Sequence, residues 1–327
     1  MRILSADTKQ GGPAMTSDAV TRNTVGWIGA GRMGFPMAEL LLKAGADVTV
    51  YNRTAAKAEP LAAFGAKIVA SPADLADRDV VFAMVAGPDD LRAVIAGPDG
   101  LLSDPAATPR IVVDCSSVDE EASDDVRRAL AERGAQFLAA PVSGNGKVVE
   151  AKKLTIVSSG PGDAFDEVRA LLEAMAPSGV TWVGEGDLAR TCKICHNVML
   201  GVVIQCLSEI TVLAERAGVP RSAFLEFINA SVMGSTFTRY KSPALVNLDY
   251  TTTFTPPLLR KDLDLGLSLG RALDVPMPVT ALTREILSTV VGKGHTDIDF
   301  SILLQHEAEG AGHALVAENV TVDDGLG

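Results

Sequence analysis

The chain has 327 residues, long for one compact domain and well suited to two. Apolar residues make up 47%, charged residues 21% and aromatics 5%, which supplies a sizeable core and excludes a disordered chain, a collagen and a disulfide-stapled scaffold. The formal net charge of −12 argues against a nucleic-acid partner, since phosphate contact needs a basic face, and an anionic ligand must be held by a few local cations.

Four cysteines do not make a disulfide framework in a chain of this length, and a reducing compartment is the simplest reading. Residues 1–23 read as a polar tail without the apolar stretch of a secretory signal. A cytoplasmic location is therefore expected. The most apolar helical candidate, residues 198–214, is interrupted by Gln205, Ser208 and Glu209, so no membrane span and no membrane partner are expected.

From Thr24 short apolar runs alternate with helical stretches. The pattern predicts a strand over 24–30, a helix over 34–44 stopped by Gly45, and a second strand over 47–51. A helix over 55–64 follows, then strands over 67–70, 80–85 and 110–114, with a helix over 88–95 between the last two. Runs at 136–142 and 153–158 are expected to extend the sheet. Strand, helix, strand in regular order predicts a doubly wound parallel α/β sheet. Near Gly186 the alternation stops, and helical patterns at 189–217, 222–231, 260–273, 279–291 and from Phe300 onward make the second half all-α. The expected organisation is a Rossmann-type dinucleotide-binding domain over 24–187, an all-α substrate and oligomerisation domain over 188–310, and a tail over 311–327.

Gly29-Ala30-Gly31-Arg32-Met33-Gly34 follows a strand and opens a helix within a βαβ unit, the context that turns G-x-G-x-x-G into a dinucleotide fingerprint. The first glycine permits the turn, the second lets backbone approach a pyrophosphate, and the third lets helix pack on strand. At the end of the second strand, where an acidic residue would mark NAD, the chain has Tyr51-Asn52-Arg53-Thr54. Arg53 can pair with a 2′-phosphate, and Asn52 and Thr54 can hydrogen-bond it, so NADP(H) is the preferred cofactor, with NAD(H) possible.

Lys193 and Asn197 are four apart on a helical pattern and share a face. An ammonium there can give a proton to a carbonyl oxygen, and an amide can polarise the same oxygen. Cys192-Lys-Ile-Cys195-His196 matches the haem c attachment pattern, but it lies inside a long helix in a chain without an export signal. A zinc site from the same residues lacks a fourth ligand, so no metal is expected.

Five segments together resemble the β-hydroxyacid dehydrogenase family: the glycine-rich turn, Asp114-Cys-Ser-Ser117, Pro141-Val-Ser-Gly-Asn145, Lys193-Ile-Cys-His-Asn197 and Lys261-Asp262-Leu263. The resemblance runs over about 24–308. It implies that Lys193 is the catalytic lysine and Asn197 its substrate-orienting partner. Ser143, Gly144 and Asn145 match the loop that binds the substrate carboxylate. Ser117, Val85, Ala86 and Lys261 match positions that line the cofactor. It also implies a small carboxylate-bearing substrate, interconversion of a β-hydroxy acid with its aldehyde or keto acid in a cleft between the two domains, and a homodimer or homotetramer. Departures surround the substrate loop: Asn145 replaces a usual Gly, Lys152-Lys153-Leu154 a usual Gly-Thr-Leu, and His196 a frequent Asn. Residues 231–245, among them Arg239, Tyr240 and Lys241, are expected to wall the pocket, with Arg239 and Lys241 read as surface charges rather than a second carboxylate clamp. Imine reductases share a similar cofactor half but generally lack the lysine. A non-catalytic NADP(H)-binding protein would have no need of it.

Overall fold

The computed structural model describes residues 20–327; most of the expected N-terminal tail, residues 1–19, lies outside the described residues. The chain divides into two compact units. The first runs to Val142 and resumes over Leu154–Asp187, and the second takes Ser143–Lys153 and Leu188–Gly327.

In the first unit, β1 (Thr24–Ile28), α1 (Gly34–Lys43), β2 (Asp47–Tyr51), β3 (Lys67–Val69), β4 (Val80–Ala83), α2 (Pro88–Ala96), β5 (Ile111–Asp114), α3 (Glu120–Ala131) and β6 (Gln136–Ala139) follow in order. The sheet has the order β3-β2-β1-β4-β5-β6, every neighbouring pair parallel, as a doubly wound fold requires. Its central strands β4 and β5 are buried along their whole length, which is why they read as unbroken apolar runs rather than alternating ones. Ile28 stands level with Tyr51 on one side and Ala83 on the other, so β1, β2 and β4 end together where the strand order reverses. Ligands of open α/β sheets bind at such a switch point.

Two sequence expectations are corrected here. The helix expected over 55–64 is instead two 3-10 pieces, Ala55–Lys57 and Glu59–Phe64. Pro60 lacks an N–H and crowds the preceding turn, which breaks an α-helix at that point. The runs at 136–142 and 153–158 do not simply extend the main sheet. Pro141 interrupts the first. Beyond it β7 (Val142–Ser143), a short helix α4 (Gly146–Glu150), β8 (Thr155–Ser158), α5 (Gly162–Met175) and β9 (Gly179–Trp182) follow, and the three strands form a separate sheet in the order β7-β8-β9. An antiparallel bridge ties it to β6, with Ala139 and Ser159 exchanging backbone hydrogen bonds of 3.0 and 2.9 Å.

The second unit is helical: α6 (Leu188–Arg216), α7 (Arg221–Ala230), α8 (Thr236–Asn247), α9 (Pro256–Ala272), α10 (Pro278–Gly292) and, after a 3-10 turn at Phe300–Ile302, α11 (Leu303–Gly310). Ile204, Leu207, Leu245, Leu259, Leu263, Leu287 and Phe300 form its core. Helices α6 and α9 cross closely because glycine faces side chain at the crossing. A Cβ on Gly266 would lie 2.2 Å from Val198 Cγ2, and one on Gly201 would lie 2.9 Å from Leu263 Cδ2. By length and composition alone α6 could cross a membrane, contrary to the expectation that no segment could. Within it the interrupting Gln205 and Ser208 are buried and bonded: Gln205 donates to Glu209 and Glu307, and Ser208 donates to the Ile204 carbonyl.

After Gly312 the chain has no regular structure, yet it is tied down. The fully buried Arg221 guanidinium pairs with Glu215 at 2.7 and 2.8 Å and donates to the carbonyls of Val246 and Val316 at 2.9 and 2.5 Å. Glu318 accepts the first two N–H groups of α7, Arg221 at 2.6 Å and Ser222 at 3.1 Å. It supplies from the tail the cap that Pro220 cannot provide.

Candidate functional site

The glycine-rich turn of the first unit is shaped by sterics. Gly29 has φ +100°, and a Cβ there would lie 2.2 Å from the Met84 carbonyl oxygen; one on Gly34 would lie 1.9 Å from the Gly29 carbonyl oxygen. Gly31 differs: a Cβ there would meet nothing within 4 Å, so this glycine borders open space. Helix α1 begins just beyond, with Met33 as an N-cap that makes no side-chain bond and no acidic residue in its first turn. Its positive end is therefore uncompensated by the chain, as a pyrophosphate site requires. Ala30 is buried and Arg32 exposed.

Asn52 holds this turn to the end of β2. Its Oδ1 accepts the Ala30 N–H at 2.8 Å and its Nδ2 donates to the Thr54 carbonyl at 2.8 Å. Both ends of the amide are thus used on backbone. Arg53 is 82% exposed and pairs with Asp90 at 2.9 Å, so its guanidinium is free to exchange that exposed partner for a ligand phosphate. Thr54 is exposed beside it. Beyond β4, Val85 is half-buried and Ala86 exposed. The Val85 N–H is taken at 2.9 Å by Ser116 Oγ. This ends the strand short of the expected 85 and makes the buried Ser116, which sequence reading passed over, the residue that shapes the loop. Ser117 is exposed next to it. These groups fit a dinucleotide: an open glycine, an uncapped helix start and an exposed arginine at the end of β2.

The second unit gathers another group of residues. Ser143 Oγ lies 2.8 Å from His196 Nε2, and His196 Nδ1 lies 3.0 Å from Asn197 Oδ1. Asn197 Nδ2 donates to Asp262 Oδ2 at 2.7 Å, and Lys261 Nζ reaches Asp262 Oδ1 at 3.2 Å. The glycine crossing of α6 and α9 makes this possible by bringing Asn197 against the buried Asp262. Lys193, half-buried, lies one turn before Asn197 on α6. Burial lowers its pKa from the ordinary 10.5 to about 8, with the Asp262 carboxylate pulling the other way. Burial and then the Lys193 ammonium hold the His196 pKa below its usual value, and the Asn197 bond opposes them.

Of the other expected site residues, Gly144 has φ +141°, which favours glycine, and Asn145 caps α4 by accepting the Val148 N–H at 3.1 Å. Lys153 donates to the Gly325 carbonyl of the C-terminal tail. Arg239 donates to the Asn229 carbonyl at 2.6 Å. Lys241 is corrected: it is not a surface charge but is 3% exposed, held at 2.6 Å from Asp299, which also accepts from Thr253 and Ser301. Polar neighbours on other elements make that burial possible, and nothing in the local sequence announces them.

A doubly wound sheet with a glycine-rich phosphate turn, joined to a helical unit bearing a lysine and an asparagine one turn apart, defines a nicotinamide-dependent oxidoreductase. Residues 24–184 match the family model described as the NAD binding domain of 6-phosphogluconate dehydrogenase. Residues 187–306 match the one described as NAD-binding of NADP-dependent 3-hydroxyisobutyrate dehydrogenase. Glyoxylate/succinic semialdehyde reductase 2, chloroplastic, of Arabidopsis thaliana is 30% identical over 291 residues, 89% of this chain and 81% of that one. The mitochondrial 3-hydroxyisobutyrate dehydrogenase of Drosophila melanogaster is 30% identical over 298 residues, 89% and 90% of the two chains. Among solved structures, 3-hydroxyisobutyrate dehydrogenase from Salmonella typhimurium superposes with a TM-score of 0.75 at 26% identity, over 86% of this chain and 99% of that one. The chain belongs to the β-hydroxyacid dehydrogenase family, NAD(P)-dependent oxidoreductases that act on CH–OH groups.

Proposed function

We propose that the chain is an NADP(H)-dependent enzyme that interconverts a small β-hydroxy acid and its aldehyde or keto acid, with Lys193 as general acid and base. The observation that carries this reading is Lys193 itself: a half-buried ammonium, its pKa drawn down to about 8, one turn from an asparagine anchored on a buried carboxylate. An amine poised near neutral pH can both give and take a proton, which a surface lysine does poorly.

The nicotinamide cofactor supplies or accepts the hydride. The chain's own residues supply position and protons. Asn197, fixed by Asp262, holds the substrate oxygen and polarises it. Lys193 donates its proton to that oxygen during reduction and removes the hydroxyl proton during oxidation. Ser143 and the backbone around Gly144 hold the substrate carboxylate. The turn at Gly29–Gly34 and the start of α1 carry the pyrophosphate, and Arg53 and Thr54 take the 2′-phosphate. Asn52 acts one step back, by keeping the turn in place.

Exposed apolar side chains on the helical unit, Met199, Leu213, Phe227, Val279 and Leu282, support assembly into a homodimer or homotetramer. A cytoplasmic location is part of the same reading, supported by four free cysteines.

The deciding experiment follows NADPH oxidation by absorbance with glyoxylate, succinic semialdehyde, tartronate semialdehyde and methylmalonate semialdehyde, with NADH in parallel. Turnover should be lost by roughly a hundredfold or more in Lys193→Ala, while NADPH binding persists. In Arg53→Gln the KM for NADPH should rise by roughly tenfold or more, with that for NADH unchanged. Full activity in Lys193→Ala, or an equal effect of Arg53→Gln on both cofactors, would overturn the respective assignment.

A further inference from the structure

With a neutral His196 ring, the hydrogen bonds around it have only one consistent direction. The carboxylate of Asp262 can only accept, so the Asn197 amide must turn its Nδ2 toward Asp262 and its Oδ1 toward His196. Asn197 Oδ1 in turn can only accept, so His196 Nδ1 carries a hydrogen. In the neutral ring Nε2 is then a lone pair, and the Ser143 hydroxyl, 2.8 Å away, must donate its only proton to it. Ser143 in that state offers a ligand nothing but lone pairs. It is poorly suited to a carboxylate, the group the proposed function brings to it.

A proton on Nε2 reverses the last bond. The ring then donates to Ser143 Oγ, and the serine proton is released to point at a ligand. The Nδ1 bond to Asn197 does not change, so the asparagine keeps its place while the serine changes its polarity. We propose that His196 is a positioning residue whose bond to Ser143 reverses when a carboxylate binds, so that capture of the substrate carboxylate draws one proton from solvent onto His196 Nε2. This rests on the reading of the site as a hydroxyacid site. No covalent bond other than the new N–H is formed, and the bulk solvent supplies the proton.

The charged groups that face the ring set the balance. On its own helix Lys193 disfavours the imidazolium. From α9, Asp262 stands behind Asn197 and is shared with Lys261. From the 143–153 segment the neighbour is the neutral Ser143. Without a ligand the ring is neutral near pH 7, since its pKa is held down by burial and by Lys193. An incoming carboxylate adds a negative charge next to Ser143 and tips the balance toward the charged ring. The ring is desolvated enough to lower its pKa, yet the residue still reaches the surface, which leaves a path for the proton from water. The family's frequent Asn at this position cannot do this, because an amide does not titrate.

The test has two arms. In the first, the ring nitrogens of His196 are followed by long-range nitrogen–proton NMR at about pH 7, with the signal assigned by its loss in His196→Asn. The free protein should show a hydrogen on Nδ1 and a bare Nε2. Titration with propionate, a carboxylate with no carbonyl to reduce, should move Nε2 to the protonated position. In the second arm, KM for glyoxylate with NADPH should rise roughly fivefold to tenfold between about pH 5.5 and about pH 8, whereas kcat is set by Lys193 over this range; in His196→Asn the KM should be flat. A free ring with its hydrogen on Nε2, a ring that does not respond to propionate, or a wild-type KM as flat as the variant's would each overturn the proposal. Failure of every acid to turn over, with Nε2 still gaining its proton from solvent when propionate is added, would instead sink the assigned reaction and leave the proton coupling standing.

Discussion

Replacing Lys193 by Met should make the protein more stable and nearly inactive. The folded environment lowers this amine's pKa from 10.5 to about 8, a displacement that corresponds to about 3 kcal/mol. Because the folded value lies below the unfolded one, the cost is present in full below about pH 8 and disappears as the pH passes about 10.5. Between those limits the unfolded chain holds a proton that the folded chain has released, so wild-type stability gains with rising pH while Lys193→Met does not. Met keeps the length of the side chain without the charge, so little cavity is introduced. Urea unfolding at pH 7 should show the midpoint of the variant raised by about 1 M, given a slope of about 2–3 kcal/mol/M. The gap should narrow as the pH rises past about 8 and close only above about pH 10.5. A variant no more stable than wild type at pH 7 would refute the argument, as would a gain of equal size at both pH values, which would point to simple apolar packing. Stability gained as turnover is lost is the usual signature of a charge kept buried for chemistry.

Other outcomes follow from the same geometry. The reduction rate at saturating substrate should be flat below about pH 8 and fall about tenfold per pH unit above it, with oxidation showing the mirror image, because the two directions need opposite protonation states of Lys193; initial rates across pH check this. Gly266→Ala places a Cβ 2.2 Å from Val198 Cγ2, which should cost about 1–3 kcal/mol in denaturant unfolding and lower kcat, since the helices that set Asn197 against Asp262 are pushed apart. Glu318→Ala removes the cap of α7 and should lower stability by about 1 kcal/mol without changing KM, measured by urea unfolding and steady-state kinetics.

The parts of this protein that were legible in its sequence are those where local pattern and local chemistry coincide. The turn at Gly29–Gly34 announces itself because three glycines answer three steric demands within one βαβ unit, and the strands are legible because burial on both faces leaves unbroken apolar runs. Lys193 and Asn197 are visible through helical spacing. The contacts that complete the site are not local. Ser143 meets His196 across fifty-three positions, and Asn197 meets Asp262 across sixty-five, so no window of sequence contains either bond. Lys241 looks like a surface charge until Asp299, far along the chain, is seen beside it. At 55–64 the local signal against an α-helix is Pro60, which lies near the start of the second 3-10 piece. The crossing glycines, Gly201 and Gly266, each look like a tolerated flaw in a helix and become meaningful only as a facing pair of close approaches.

The membership of Ser143–Lys153 in the helical unit has a consequence for how this protein can be cut, copied and made. The chain leaves its first unit at Val142, lends eleven residues to the second, returns at Leu154, and departs for good after Asp187. A fragment beginning at Leu188 would carry Lys193, His196 and Asn197 but lack the serine that His196 meets. The helical half is therefore not a cassette that recombination could transplant in one piece. During synthesis Ser143 leaves the ribosome before the helix it will bind has been made, so its loop waits on residues some fifty positions downstream.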